Sequence, residues 1–250
     1  MTLLCRQRLT AIPLVVYWIG IFILTHLPVL PRVLLRGVSL SDVSLHYIAY
    51  LILVFLIWLA ITPDKKVNWR KAATWWVLFV VVWYGVVDEW LQGYVGRCPD
   101  VKDFLADLAG ALTGLVLLSI FPFWPVSLVL TGATLFILTN FMQVGPTDQL
   151  FVVSMVFHLL GYAVFSLLWI KYLHYLLPIR PPQSRWLLGV LAPPVFFLLA
   201  AEIFSGLVCE RIRFQNVTIS LVGITVVVAA VFLIALLRQR FTKSASPGDA

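Results

Sequence analysis

The chain has 250 residues, of which 62% are hydrophobic and only 12% charged. Soluble domains run near ~45–50% apolar and ~25% charged, which excludes a water-soluble globular domain and indicates an integral membrane protein. The net charge of +7 is spread over the flanks of apolar stretches rather than gathered in one patch, so no nucleic-acid partner is expected.

A hydrocarbon core about 30 Å thick is crossed by about 20 apolar residues in a helix, and eight such stretches are predicted. The opening "MTLLCRQRLT" and the apolar run after it resemble a signal peptide. No A-x-A site follows, only "THLPVLPR", so the run is read as an uncleaved first span over 11–29. The second span, 43–62, opens with Asp42 and His46 one helical turn apart. The third, 73–92, closes with Asp88, Glu89 and Gln92; Glu89 and Gln92, three residues apart, share a face. "YVGR" then turns the chain, with Gly96 supplying backbone freedom and Arg97 a fixed cation.

The fourth span, 104–123, carries at its head a stripe of Asp103, Asp107, Gly110 and Gly114 at helical spacing. The carboxylates complement the positive end of the helix, and G-x-x-x-G permits close approach of a neighbour. "FPFWP" is a tight, uncharged turn into the fifth span, 125–141. Three more follow at 150–172, 186–204 and 216–237, ending in a polar tail over 238–250. Trp75, Trp76, Trp83, Trp124 and Trp186 mostly fall where interfacial aromatic belts are expected.

With eight spans, Arg6, Arg8, Lys65, Lys66, Arg70, Lys71, Lys171, Arg180, Arg185, Arg238, Arg240 and Lys243 share a side with both termini. The other side has Arg32, Arg36, Arg97, Lys102, Arg211 and Arg213. The excess puts both termini in the cytoplasm of a multi-pass inner or plasma membrane protein. All acidic residues except Asp64 and Asp249 then lie on or near the outer face.

The halves also repeat. "FILTH" at 22–26 returns as "FILTN" at 136–140, and "LHYIAY" at 45–50 as "FHLLGY" at 157–162. Glu89, Gly93, Asp103 and Gly110 correspond to Glu202, Gly206, Asn216 and Gly223 at a constant offset. The expected fold is therefore an all-α polytopic membrane helix bundle made of two four-helix repeats, 11–123 and a degenerate 124–237. An even number of spans per repeat gives both the same orientation, the parallel arrangement known in transporters. Such symmetry is expected to bring the two sets of motif residues towards one outward-facing site.

"DVSLHYIAY" followed by "DEWLQGYVGRCPDVKDFLADLAG" resembles the VanZ-like family of bacterial membrane proteins. The matching positions are Asp42, His46, Tyr50, Asp88, Glu89, Gln92, Tyr94, Gly96, Arg97, Asp103 and Gly110. Val95 replaces the family's usual Pro, Asp100 a frequent Ser and Asp107 a usual Asn, so negative charge is added. The resemblance is good over about 20–120 and degenerate over 130–237, where His158, Tyr162, Glu202, Gly206, Asn216 and Gly223 keep the spacing. It implies a modest amount about function. The founding member is associated with low-level resistance to a lipid-tailed glycopeptide antibiotic, and most relatives have no assigned biochemical role.

An ionisable group within a span costs roughly 2.5–3.5 kcal/mol on insertion scales and normally has a partner. The bland reading of Asp42, His46, Asp88, Glu89, Gln92, Arg97, Asp103 and Asp107, with His158, Glu202 and Asn216, is a polar network that locks helices together. The sharper reading is a non-enzymatic cell-envelope protein whose outward polar pocket binds a membrane lipid or lipid-tailed ligand. The alternatives are an envelope-lipid transporter or flippase, and a membrane enzyme using His46 and Glu89 as acid and base. No nucleophile is marked out, so no catalytic residue is assigned. His46, Asp42 and Glu89 are metal-ligand types, but no close ligand spacing appears; neither metal nor cofactor is expected. Cys98 and Cys209 fall in outer-side loops, where a disulfide is the weaker of the two readings.

Overall fold

The computed structural model describes residues 3–26, 41–95, 100–141, 148–209 and 214–244. Among these residues all regular structure is helical. The helices are α1 (Leu3–His26), α2 (Asp42–Ile61), α3 (Ala72–Gln92), α4 (Val101–Ile120), α5 (Phe123–Phe141), α6 (Asp148–Leu176), α7 (Ser184–Cys209) and α8 (Phe214–Ser244), with a short 3-10 turn, Gly93–Val95, after α3. A polytopic helix bundle is what the composition requires, because within hydrocarbon a helix satisfies its own backbone polar groups.

Among the described residues, six helices contain stretches long and apolar enough to cross a membrane, and α1 and α5 are apolar over Thr10–Ile23 and Phe123–Ile137.

The helix ends follow local chemistry. Ser41 caps α2 by accepting from the Ser44 N–H at 3.2 Å, and Asp100 caps α4 by accepting from the Lys102 N–H at 2.9 Å. α2 stops at Thr62 and α4 at Phe121, each followed by a proline, which disfavours helical backbone in the residue before it. The loop between α2 and α3 is tied down: the Trp58 indole donates to the Lys65 carbonyl at 2.8 Å, and the Val67 N–H donates to the Leu118 carbonyl at 3.0 Å.

The chain forms two compact units, Met1–Val126 and Ser127–Ala250. In the first, the principal pairing is α2 with α4, and α1 and α3 pack around it. A side chain at Gly110 would run into the Tyr47 carbonyl, and one at Gly114 would meet Val54 Cγ1 at 3.0 Å. The two helices run parallel and in register, their backbones brought together by the glycine stripe. In the second unit the principal pairing is α6 with α8. A Cβ on Gly223 would lie 2.5 Å from the Leu159 carbonyl oxygen and 3.5 Å from the Ala163 nitrogen. This unit's core gathers around Trp186, which is fully buried, stacks on Phe232 and donates its indole N–H to His174 Nε2 at 2.7 Å.

Candidate functional site

The polar side chains of the first unit meet where α1 and α3 end and α2 and α4 begin. Neighbouring residues on a helix point about 100° apart, so Asp88 and Glu89 serve different partners. Asp88 turns to α1: Thr25 donates its hydroxyl to Asp88 Oδ1 at 3.0 Å, His26 Nδ1 lies 3.7 Å from the same oxygen, and Gln92 donates to Oδ2 at 2.9 Å. Glu89 turns to α4, where its Oε2 accepts the Asp100 N–H at 3.0 Å. Asp100 thus caps α4 with its side chain and fixes Glu89 with its backbone. The family's frequent Ser at this position is also a good cap, so the departure preserves the helix start.

His46 stands opposite the α4 stripe. Its Nδ1 donates to Asp107 Oδ1 at 3.0 Å, and its Nε2 lies 3.8 Å from Asp103 Oδ2. His46, Asp88, Glu89, Gln92, Asp103 and Asp107 are all buried. Several acceptors have unused capacity: among the described residues no hydrogen-bond partner reaches Glu89 Oε1, Asp107 Oδ2 or the Tyr50 hydroxyl. The last two border a single gap. A Cβ on Gly85 would sit 3.3 Å from Asp107 Oδ2 and 3.5 Å from the Tyr50 oxygen, so glycine leaves room beside both. Tyr50 stacks on Tyr84, and Trp18 meets Tyr84 edge-on, giving the polar cluster an aromatic floor.

The donor types suit several tasks. His46, Glu89 and Asp107 offer one imidazole nitrogen and two carboxylate oxygens, all within 4.8 Å of one another, a set able to hold a cation or a group rich in hydrogen-bond donors. Asp42 is exposed in the first turn of α2. Arg97 and Cys98 lie outside the described residues. Thr25 and His26 are site residues that sequence reasoning passed over, although "FILTH" had marked them as part of the repeated motif.

The second unit holds a more neutral set. His158 Nδ1 donates to the Ser154 carbonyl at 2.7 Å, and Thr139 Oγ1 lies 3.4 Å from His158 Nε2. Glu202, Ser205, Asn216 and Ser220 are buried in the same unit. Asn216 and Ser220 occupy on α8 the turns that Asp103 and Asp107 occupy on α4.

These features define a helical membrane protein with a buried acidic cluster at one end of its first unit. Residues 14–122, which span α2, α3, α4 and the second half of α1, match the family model VanZ/LLP1. No curated protein and no solved structure matches the chain.

The cap at Asp100 gives a modest test of how the cluster is positioned. Asp100→Ala is expected to cost about 1 kcal/mol of stability, and Asp100→Ser to restore most of it. Thermal unfolding of the purified protein in detergent reads both.

Proposed function

We propose that the protein is a non-enzymatic cell-envelope component whose VanZ-like domain binds the polar head of a lipid-like or lipoglycopeptide ligand. In this reading both termini are cytoplasmic and the cluster is reached from the outer leaflet. The observation that carries it is the set of buried acceptors without a hydrogen-bond partner among the described residues, two of them beside Gly85. A buried polar atom without a hydrogen bond costs about 1–3 kcal/mol, and a guest that donates to Glu89 Oε1, Asp107 Oδ2 and Tyr50 offsets that cost. A head group bearing an amine or several N–H and O–H donors has the right chemistry for this carboxylate-rich end.

The arrangement favours binding over transport. Below the cluster the buried side chains of the described unit turn apolar, through Leu53, Val54, Val81, Ala111 and Leu115. The ionisable groups His46, Asp88, Glu89, Asp103 and Asp107 stay at one end, without a chain of polar steps across the unit. We also infer that the two units are copies of one four-helix ancestor. Gly110 against Tyr47 and Gly223 against Leu159 are the same close contact at repeat-related positions, and the second copy has exchanged its α4-type carboxylates for Asn216 and Ser220.

Expression in a susceptible host with Glu89→Gln or Arg97→Ala should abolish protection against a lipid-tailed glycopeptide, or binding of the ligand, while membrane insertion and yield stay at wild-type levels. Disappearance of the folded protein in both variants would assign these residues to helix locking instead.

A further inference from the structure

We propose that His46, Glu89 and Asp107 form a site for one divalent transition-metal cation, with Zn²⁺ or Mn²⁺ as its chemical class. This proposal uses the acceptors Glu89 Oε1 and Asp107 Oδ2 that the head-group reading also uses, and metal content, read without any lipid-like ligand, separates the two. The three residues come from three helices, α2, α3 and α4, and each brings one donor atom within 4.8 Å of the other two. With metal–ligand bonds of about 2.0–2.2 Å, donor atoms lie about 3.3–3.6 Å apart in a tetrahedral site. His46 Nδ1 and Asp107 Oδ1 at 3.0 Å are already near that separation, and no pair in the cluster has to close by more than about 1.5 Å.

A second observation points to a ligand. Glu89 and Asp107 each keep one carboxylate oxygen, Oε1 and Oδ2, buried and without a hydrogen-bond partner among the described residues. Lone pairs held out of water in this way suit a metal ion. The supporting shell is present too, because the Asp100 N–H holds Glu89 Oε2 and leaves Oε1 free to turn inward. Outer hydrogen bonds of this kind orient metal-ligating side chains. The imidazole favours a transition metal over Mg²⁺ or Ca²⁺, which prefer all-oxygen shells. Where Nδ1 is the ligand, the cation takes the place of the proton that now joins His46 to Asp107, and that proton leaves to solvent.

The test uses the full-length chain purified in detergent without a histidine tag, stripped with chelator and dialysed against Zn²⁺ or Mn²⁺. Elemental analysis of the wild type should give one bound metal per chain. Glu89→Gln and Asp107→Asn should each weaken binding by more than the about 10–100-fold typical of losing an outer-shell partner, with elution profile and melting temperature confirming that they remain folded. Asp64→Asn, at an exposed loop position, should bind as the wild type does. Retention of less than a tenth of an equivalent by the wild type at 100-fold excess of either metal overturns the proposal, as does equal binding by all variants. X-ray absorption of the loaded wild type gives an answer independent of the variants: a nitrogen and oxygen shell supports the site, and a sulfur ligand from Cys5, Cys98 or Cys209 overturns it.

Discussion

Gly110→Ala is expected to destabilise the first unit by about 1–3 kcal/mol, and Gly110→Val by more. The added Cβ falls on the Tyr47 carbonyl, a backbone atom that cannot rotate away, so α2 and α4 have to separate along their principal contact. Alanine's higher helix propensity, worth about 1 kcal/mol in a helix interior, offsets only part of this. Gly20→Ala is the matching control, because nothing lies within 4 Å of its Cβ position; it should leave stability unchanged or slightly raised. Thermal unfolding of the three variants in one detergent checks the order. Equal melting temperatures for Gly110→Ala and Gly20→Ala would mean that α2 and α4 leave room for a side chain at position 110.

The second large effect is expected at His46. Replacing it with leucine leaves Asp107 buried without its imidazole partner, and breaking a buried pair from one side costs about 3–5 kcal/mol. Asp107→Asn should cost far less, about 1 kcal/mol, because the amide oxygen still accepts from Nδ1. The double variant His46→Leu, Asp107→Leu should recover much of the single-variant loss, since no charge is then stranded. Denaturation of the set in detergent gives the coupling energy directly. Additive losses would show that the 3.0 Å contact contributes nothing specific.

Much of the fold was legible because hydropathy and length are strong signals. The predicted 43–62 and 73–92 correspond to Asp42–Ile61 and Ala72–Gln92, set by the Ser41 cap and the end of apolar sequence. The α4 stripe was legible as well, since Asp103, Asp107, Gly110 and Gly114 at helical spacing can face only one way, and all four are buried. The split of Asp88 from Glu89 was not legible. Sequence places them side by side, and only the packing of α1 on one flank and α4 on the other sends them to different partners.

The ligand-type cluster was hidden for a related reason. Its donors lie on three separate helices, so no local spacing such as H-x-x-x-H could reveal it, and the convergence of residues 46, 89 and 107 is a property of tertiary packing. Asp42 lies in the exposed first turn of α2, where negative charge is favoured. Thr25 and His26 were visible only as repeat markers, because a short polar pair at the end of an apolar span has no signature of its own.

The binding reading is tested most directly by the thermal shift of purified wild-type and Glu89→Gln protein with a lipid-tailed glycopeptide. At about 100 times the dissociation constant a ligand stabilises the folded state by about 2.7 kcal/mol, or about 5–10 °C for a chain of this size. The wild type should gain that shift and Glu89→Gln little or none, with ligand-free melting temperatures within about 2 °C of each other. No shift in the wild type, or the same shift in both, would contradict a head-group site at this cluster.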